Sequence, residues 1–187
     1  VALSLVYGVY LPLQKSTRYI NAIANLQTAR SVADVLRGYD RVFDYPSPVG
    51  GEEVAKFSSY DFLNMISNPK QPEEVAREFV RYIEPRMDQK NVRHLLVLAQ
   101  LHTALWQRFR GEEDYVAAEA FYREALAIGP KLPPVLFGLL SLYGAKGDTA
   151  KATEIGDRIS VLWPNATEVG RQIEAQRSAE PVTQGTP

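Results

Sequence analysis

The chain has 187 residues, 21 Lys and Arg against 22 Asp and Glu, and 45% hydrophobic residues, which is apolar material for one core or two small ones. Balanced charge excludes the basic excess typical of a nucleic-acid-binding domain, and the lack of cysteine excludes disulfide frameworks, thiolate nucleophiles and Cys-type zinc sites. With two histidines and no phosphate-cradling glycine loop, neither a cofactor nor a metal is expected.

Residues 1–14 carry no charge, and Lys15 and Arg18 follow closely. A bilayer-spanning helix needs ~20 apolar residues, so this stretch alone is too short. Because the sequence opens on Val rather than Met, it is expected to be the end of a transmembrane helix, with Tyr7 and Tyr10 at interface depth and Lys15 and Arg18 anchored at headgroups. The alternative is a buried helix or strand of a soluble domain. A signal peptide would place its positive charge before the apolar run.

Residues 15–91 read as a helical region. From Asn25 to Phe43, the apolar positions Val32, Val35, Leu36, Tyr39, Val42 and Phe43 have the three-four spacing of one helical face, ended by Pro46 and Pro48. After Gly50 and Gly51, Glu52 and Glu53 supply first-turn acids for a helix carrying Val54, Phe57, Phe62, Leu63 and Ile66. Pro72 with Glu73 and Glu74 starts another, through Val75, Phe79, Val80 and Ile83 to Pro85. A further helix is expected from about Asp88 to Phe109. No stretch alternates long enough to predict a sheet.

The second half compares with itself. A shift of 34 residues aligns Leu105 with Leu139, Phe109 with Tyr143, Asp114 with Asp148, Ala118 with Ala152 and Pro130 with Pro164. Ala118, Tyr122, Ala125 and Pro130 reproduce the second half of a tetratricopeptide motif. The second copy departs from it at Gly156 and Ile159, and further departures are His102, Trp106, Leu136 and Leu140. By this period and these positions, residues 92–166 resemble two tetratricopeptide (TPR) units. The resemblance implies an all-α fold of antiparallel helix pairs stacked as a TPR-like right-handed α-solenoid. Residues 15–91 would then hold degenerate repeat-like helices, 167–180 a capping helix and 181–187 a disordered tail.

The apolar opening, the Tyr10-Leu-Pro-Leu segment, the long helix, the Ser47-Pro-Val-Gly50 turn and the degenerate units together resemble the C-terminal extramembrane region of bacterial O-antigen ligase or polymerase-like membrane proteins. The parent would then be an enzyme joining a lipid-carried glycan to an acceptor, with its catalytic machinery outside these residues. The repeat region would be extracytoplasmic. Against that side, residues 1–41 hold Lys15, Arg18, Arg30, Arg37 and Arg41 with only Asp34 and Asp40, a basic bias nominally favouring the cytoplasm.

In a tetratricopeptide stack the first helix of each pair lines a concave face. The resemblance therefore implies groove contacts at Gln100, Thr103, Gln107, Arg110, Phe137 and Ser141, suited to an extended protein or peptide, or to a glycan acceptor; the alternative is a passive spacer or assembly surface whose polar face meets only solvent. The asparagines of the carboxylate-clamp subset are missing. His94 and His102 lie about two turns apart, ~12 Å along one helix, too far to share one metal. His102 occupies a core aromatic position of the repeat, so a structural role is expected. Glu52-Glu53, Glu73-Glu74 and Glu112-Glu113 sit at helix starts, where the macrodipole accounts for them. Asn165-Ala-Thr167 has the form of a glycosylation sequon and is read as chance or as a helix cap. The function expected is a non-catalytic TPR-like scaffold on a membrane glycan ligase or polymerase. The alternatives are a soluble cytosolic TPR scaffold and a hydrolase or transferase with its site in this chain.

Overall fold

The computed structural model describes residues 2–26 and 28–164, and every regular element among them is helical. The expected capping helix and tail, and the Asn165-Ala-Thr167 triplet, lie outside the described residues. The chain divides into two compact units, residues 1–124 and 125–187.

The first unit opens with α1, a continuous rod made of an α-helical turn Ala2–Leu5, a π-helical stretch Val6–Tyr10 and an α-helix Leu11–Leu26. The π stretch has a local cause. Pro12 has no N–H to give the Gly8 carbonyl, Gly8 weakens the ladder further, and the Leu11 N–H instead bonds back to Val6 O. The rod runs unbroken past residue 14, where the membrane-facing and extramembrane parts were expected to divide. Among the described residues, no helix is long and apolar enough to cross a membrane.

The sequence predicts one helix from Asn25 to Phe43, but the chain breaks before Ser31. Thr28 Oγ1 donates to Asn25 O at 3.2 Å, and Ser31 Oγ accepts the Asp34 N–H at 3.1 Å, capping α2 (Val32–Phe43). Short hydroxyl side chains that bond the backbone locally compete with the helix ladder and favour ends over middles. Next come α3 (Gly51–Ser67), entered through Gly50 at φ +88°, and α4 (Glu73–Ile83), which tightens into a 3₁₀ turn Glu84–Arg86 at Pro85. The fifth helix, α5 (Val92–Phe109), starts later than expected. Asp88 Oδ1 accepts the Lys90 N–H at 2.9 Å, Asn91 Oδ1 accepts the Arg93 N–H at 3.0 Å, and the Asp88 N–H donates to His94 Nδ1 at 2.9 Å. The sixth, α6, spans Glu112–Ile128.

Helices α1 and α2 pack where Ala22 meets Gly38. A Cβ added at Gly38 would lie 3.7 Å from that of Ala22, so two small residues set the approach. The main core joins α3, α4 and α5 around Phe62, which is fully buried. Phe62 stacks on Phe79 at 5.0 Å between centroids and takes the edges of Tyr39 at 4.8 Å and Tyr82 at 5.8 Å. Ile66, Ile83, Leu98, Leu101 and Leu105 close the core. Helix α6 runs antiparallel to α5: Trp106 meets Tyr115 at 5.4 Å, His102 stacks on Phe121 at 5.6 Å, and Thr103 hydrogen-bonds Tyr122.

The second unit contains a helix hairpin, α7 (Pro133–Lys146) and α8 (Thr149–Leu162). Gly147, left-handed at φ +82°, ends α7, and Asp148 caps α8 by accepting the Lys151 N–H at 3.1 Å. Leu136, Leu139, Leu142, Tyr143, Ile155 and Ile159 are buried. Phe137 stacks on Trp163 at 6.4 Å, and Arg158 donates to Pro130 O at 2.7 Å.

The two hairpins keep different registers at their two ends. The left-handed caps Arg110 and Gly147 stand 37 positions apart. The same spacing matches buried Leu105 and Trp106 to Leu142 and Tyr143, and Ala118 and Tyr122 to Ile155 and Ile159. The helix ends Ile128 and Leu162, followed by Pro130 and Pro164, keep the 34-residue shift seen in the sequence. The difference is absorbed by the second helix, which has 17 residues in α6 and 14 in α8. Ala118 and Ala125 are fully buried and Ala152 only half-buried; Phe109 is half-buried where Tyr143 is buried.

Candidate functional site

The most unusual surface belongs to α1. Leu3, Leu5, Tyr7, Val9, Tyr10 and Leu13 are each more than half exposed, and every residue from 3 to 10 is exposed, so this end of the rod is uncovered around its circumference. A helix apolar all round is ordinarily buried in a protein core or in a bilayer. No element among the described residues covers this one.

Where α1 meets the body, the two basic residues expected at headgroup depth behave differently. Lys15 is buried, 6% exposed, with Nζ 3.5 Å from Tyr45 O and its stem against Gly50. It therefore fastens α1 to the loop after α2, because its four-carbon stem can lie in an apolar crevice while its head finds a carbonyl. Arg18 is exposed and stacks over the Tyr45 ring at 4.4 Å. Beyond this junction, Tyr19 of α1 and Tyr39 of α2 both donate to Asp61 Oδ2 of α3, at 2.7 and 2.9 Å. Burial first, and then the Asp61 carboxylate, push both tyrosines far above the usual phenol range. Tyr82 donates to Asp40 Oδ1 at 2.7 Å and is pushed up mainly by burial; Arg86 reaches the same oxygen at 3.1 Å.

A second polar cluster ties α4 to the α5–α6 hairpin. Asp114, 2% exposed, places Oδ1 3.2 Å from His102 Nδ1 and Oδ2 2.9 Å from the Arg77 guanidinium. Arg77 also bonds Glu73 at 2.9 Å and reaches Glu113 at 3.2 Å. His102 Nε2 lies 3.6 Å from Glu84. Gly111 leaves room for this arrangement, since a Cβ there would meet Glu113 at 2.7 Å, Asp114 at 2.9 Å and Arg77 at 3.0 Å. A His-Asp pair is the skeleton of a general base, but a base must reach a substrate proton. This one is closed in by Arg77, Phe121 and Glu84, and it joins helices.

Arg108 does comparable work at the end of α3. Its guanidinium donates to the carbonyls of Ile66, of Pro69 at 3.1 Å and of Gln71 at 2.9 Å. The loop so held walls an open depression of about 530 Å³, whose lining includes the apolar Leu26, Val32, Val35, Met65 and Phe79 and the polar Arg30, Asn68 and Gln71.

The six expected groove residues separate by accessibility. Gln107, Arg110 and Ser141 are exposed, as is Phe137 on the Trp163 ring; Arg110 lies over Trp106 at 5.2 Å. Gln100 and Thr103 are half-buried; Thr103 Oγ1 gives its one proton to Ala99 O of its own helix at 2.7 Å, and its bond with Tyr122 turns it toward α6 rather than an open groove. Among the described residues no group of three or more His, Cys, Asp or Glu side chains is placed to hold a metal ion. His94 is buried and holds the turn before α5, and Glu52 and Glu73 bond Asn91 and Arg77.

The sequence reading missed the Arg77–Asp114–His102 cluster and the Asp61 tyrosine pair. Their members lie far apart in the chain, and only the position of Asp114 beside a helix start hints at a role. Comparison with known protein families, with curated proteins and with solved structures finds no match to this chain.

Proposed function

We propose that this chain is a non-catalytic interaction module held at a membrane by the apolar end of α1. In this reading the helix pairs α5–α6 and α7–α8 are TPR-like units of a right-handed α-solenoid. The module is the extracytoplasmic C-terminal part of an O-antigen ligase or polymerase-like membrane protein, where it positions a protein partner or a glycan acceptor. Gln107 and Arg110 in one pair, and Phe137 and Ser141 in the other, are its accessible contact residues.

One observation carries the membrane part. The apolar turns from Leu3 to Tyr10 are uncovered on all sides, and at ~25 cal/mol per Å² of apolar surface a lipid environment repays their burial. The helix-pair part draws on the shared cap, turn and burial pattern of the two hairpins. The scaffold part draws on how the ionisable clusters are used: each buried one joins helices. Carbonate extraction of membranes from cells making the full-length protein tests the reading. Retention in the pellet supports it, and quantitative release contradicts it.

A further inference from the structure

Exposed large apolar side chains in residues 2–124 are not scattered. Among the described residues, all those over a third exposed except Val116 sit on α1, on the loop at Val49 or on α3 at Phe57 and Tyr60. These elements adjoin one another. The Tyr19 ring lies 6.2 Å from Phe57, and Lys15 packs against Gly50, next to Val49.

The two flanks of α1 differ in chemistry. At 100° per residue, Leu13 and Ile20 point the same way and Ile23 lies between that direction and Tyr19, on the flank that meets α3. Leu13 is 59% exposed and Ile20 63%. The other flank, facing α2, is a small groove where Arg18, Asn21, Asn25 and Arg41 surround the Ala22–Gly38 contact. Exposed Ser16 lies on the same flank, its hydroxyl proton returned to Pro12 O at 3.0 Å; this mainly apolar flank continues the uncovered end for ~15 Å along the rod, from Leu13 to Ile23, and adjoins Phe57 of α3 through Tyr19.

We propose that the first unit lies against the bilayer on this flank, with α1 tilted so that Leu13, Ile20 and Ile23 follow the lipid surface and Phe57, Tyr60 and Val49 sit in the headgroup zone. The inference rests on the membrane reading above and adds which face of the body meets the lipid. A helix standing upright on its apolar end would lift Ile20 and Ile23 into water; tilting buries them and brings α3 down beside them. Aromatic side chains with one polar tip, such as Tyr60, suit that depth. Charge contributes little, because Lys56, over the Phe57 ring at 5.4 Å, is offset by Glu53 one turn before Phe57. Contact is therefore carried by apolar area, and uncharged vesicles suffice.

The absence of native cysteine makes the test direct. Phe57→Cys, Tyr60→Cys and, as control, Val116→Cys chains are each labelled with an environment-sensitive fluorophore and mixed with phosphatidylcholine vesicles, with and without phosphatidylglycerol. The inference predicts a blue shift and quenching by a bilayer-embedded quencher at positions 57 and 60, in both lipid mixtures, and neither effect at 116. Chains that float with vesicles but show no change at 57 and 60 overturn this docking face and leave the α1 reading standing. A shift at 57 that grows with protein concentration without lipid assigns the face to a second copy and overturns it too. Failure of every chain to float overturns the membrane reading and this inference together.

Discussion

Ala118→Leu and Ala152→Leu separate the two registers of the hairpins. At the 34-residue shift these alanines are equivalent, and each should be a close-contact point that a larger side chain overpacks. The structure distinguishes them, because Ala118 is fully buried on α6 and Ala152 is half-buried near the start of α8, where Ile155 takes the buried place. Three added carbon atoms at a fully enclosed site cost about 1 to 3 kcal/mol, since the neighbours must leave their rotamers. The same atoms at a half-open site can turn to solvent and cost about 0.5 kcal/mol or less. Ile155→Ala, at a site 7% exposed, should cost about 2 to 4 kcal/mol by lost transfer energy and the void left behind. Urea unfolding followed by far-ultraviolet circular dichroism reads all three as midpoint shifts at constant slope. Equal losses for Ala118→Leu and Ala152→Leu, with Ile155→Ala nearly silent, would refute the 37-residue register.

Asp114→Asn leaves Arg77 and His102 facing a neutral amide inside the α4–α5–α6 cluster. Removing one member of a buried charge pair costs up to about 3 to 5 kcal/mol; Arg77 keeps Glu73 and Glu113, so about 2 to 3 kcal/mol is expected in the same assay. Gly147→Ala forces a Cβ into left-handed backbone at the end of α7 and should cost about 1 kcal/mol, read as a lower melting temperature. Tyr19, Tyr39 and Tyr82 are raised above the ordinary value of 10.0, so the folded state holds protons that the unfolded state releases. Their contribution is complete below pH 10 and declines as pH rises above it. Absorbance of tyrosinate should therefore show these three ionising only as the fold is lost, and gradual ionisation of all ten tyrosines in the folded chain would contradict the network.

Helix existence was legible in the sequence because it rests on periodicity and on punctuation. Pro46, Pro72, Pro85 and Gly147 stop or redirect the chain by backbone geometry alone, and they do so wherever they stand. The break at Ser31 and the late start of α5 at Asn91 were harder to see, because Ser, Asp and Asn act through side-chain bonds whose use depends on the neighbouring turn. The repeat shift was half legible: prolines mark where second helices end, while the left-handed caps are Arg110 in one pair and Gly147 in the other. Two unlike residues in one conformation give no matching letter. The role of Lys15 was misassigned for a similar reason. Beside an apolar run a lysine suggests a headgroup, but the carbonyl of Tyr45, brought near by folding, holds it within the protein. The apolar flank from Leu13 to Tyr60 spans two helices, and only packing puts them side by side.

The most direct test of the membrane account is flotation of the purified chain on phosphatidylcholine vesicles, alongside a variant with Leu5→Asp and Val9→Asp on the exposed end of α1. Both positions are more than half exposed, so the fold should persist by circular dichroism. A membrane-held α1 makes the native sequence rise with the vesicles while the variant stays at the bottom of the gradient. Native chain remaining at the bottom, or a variant that floats equally well, would contradict it.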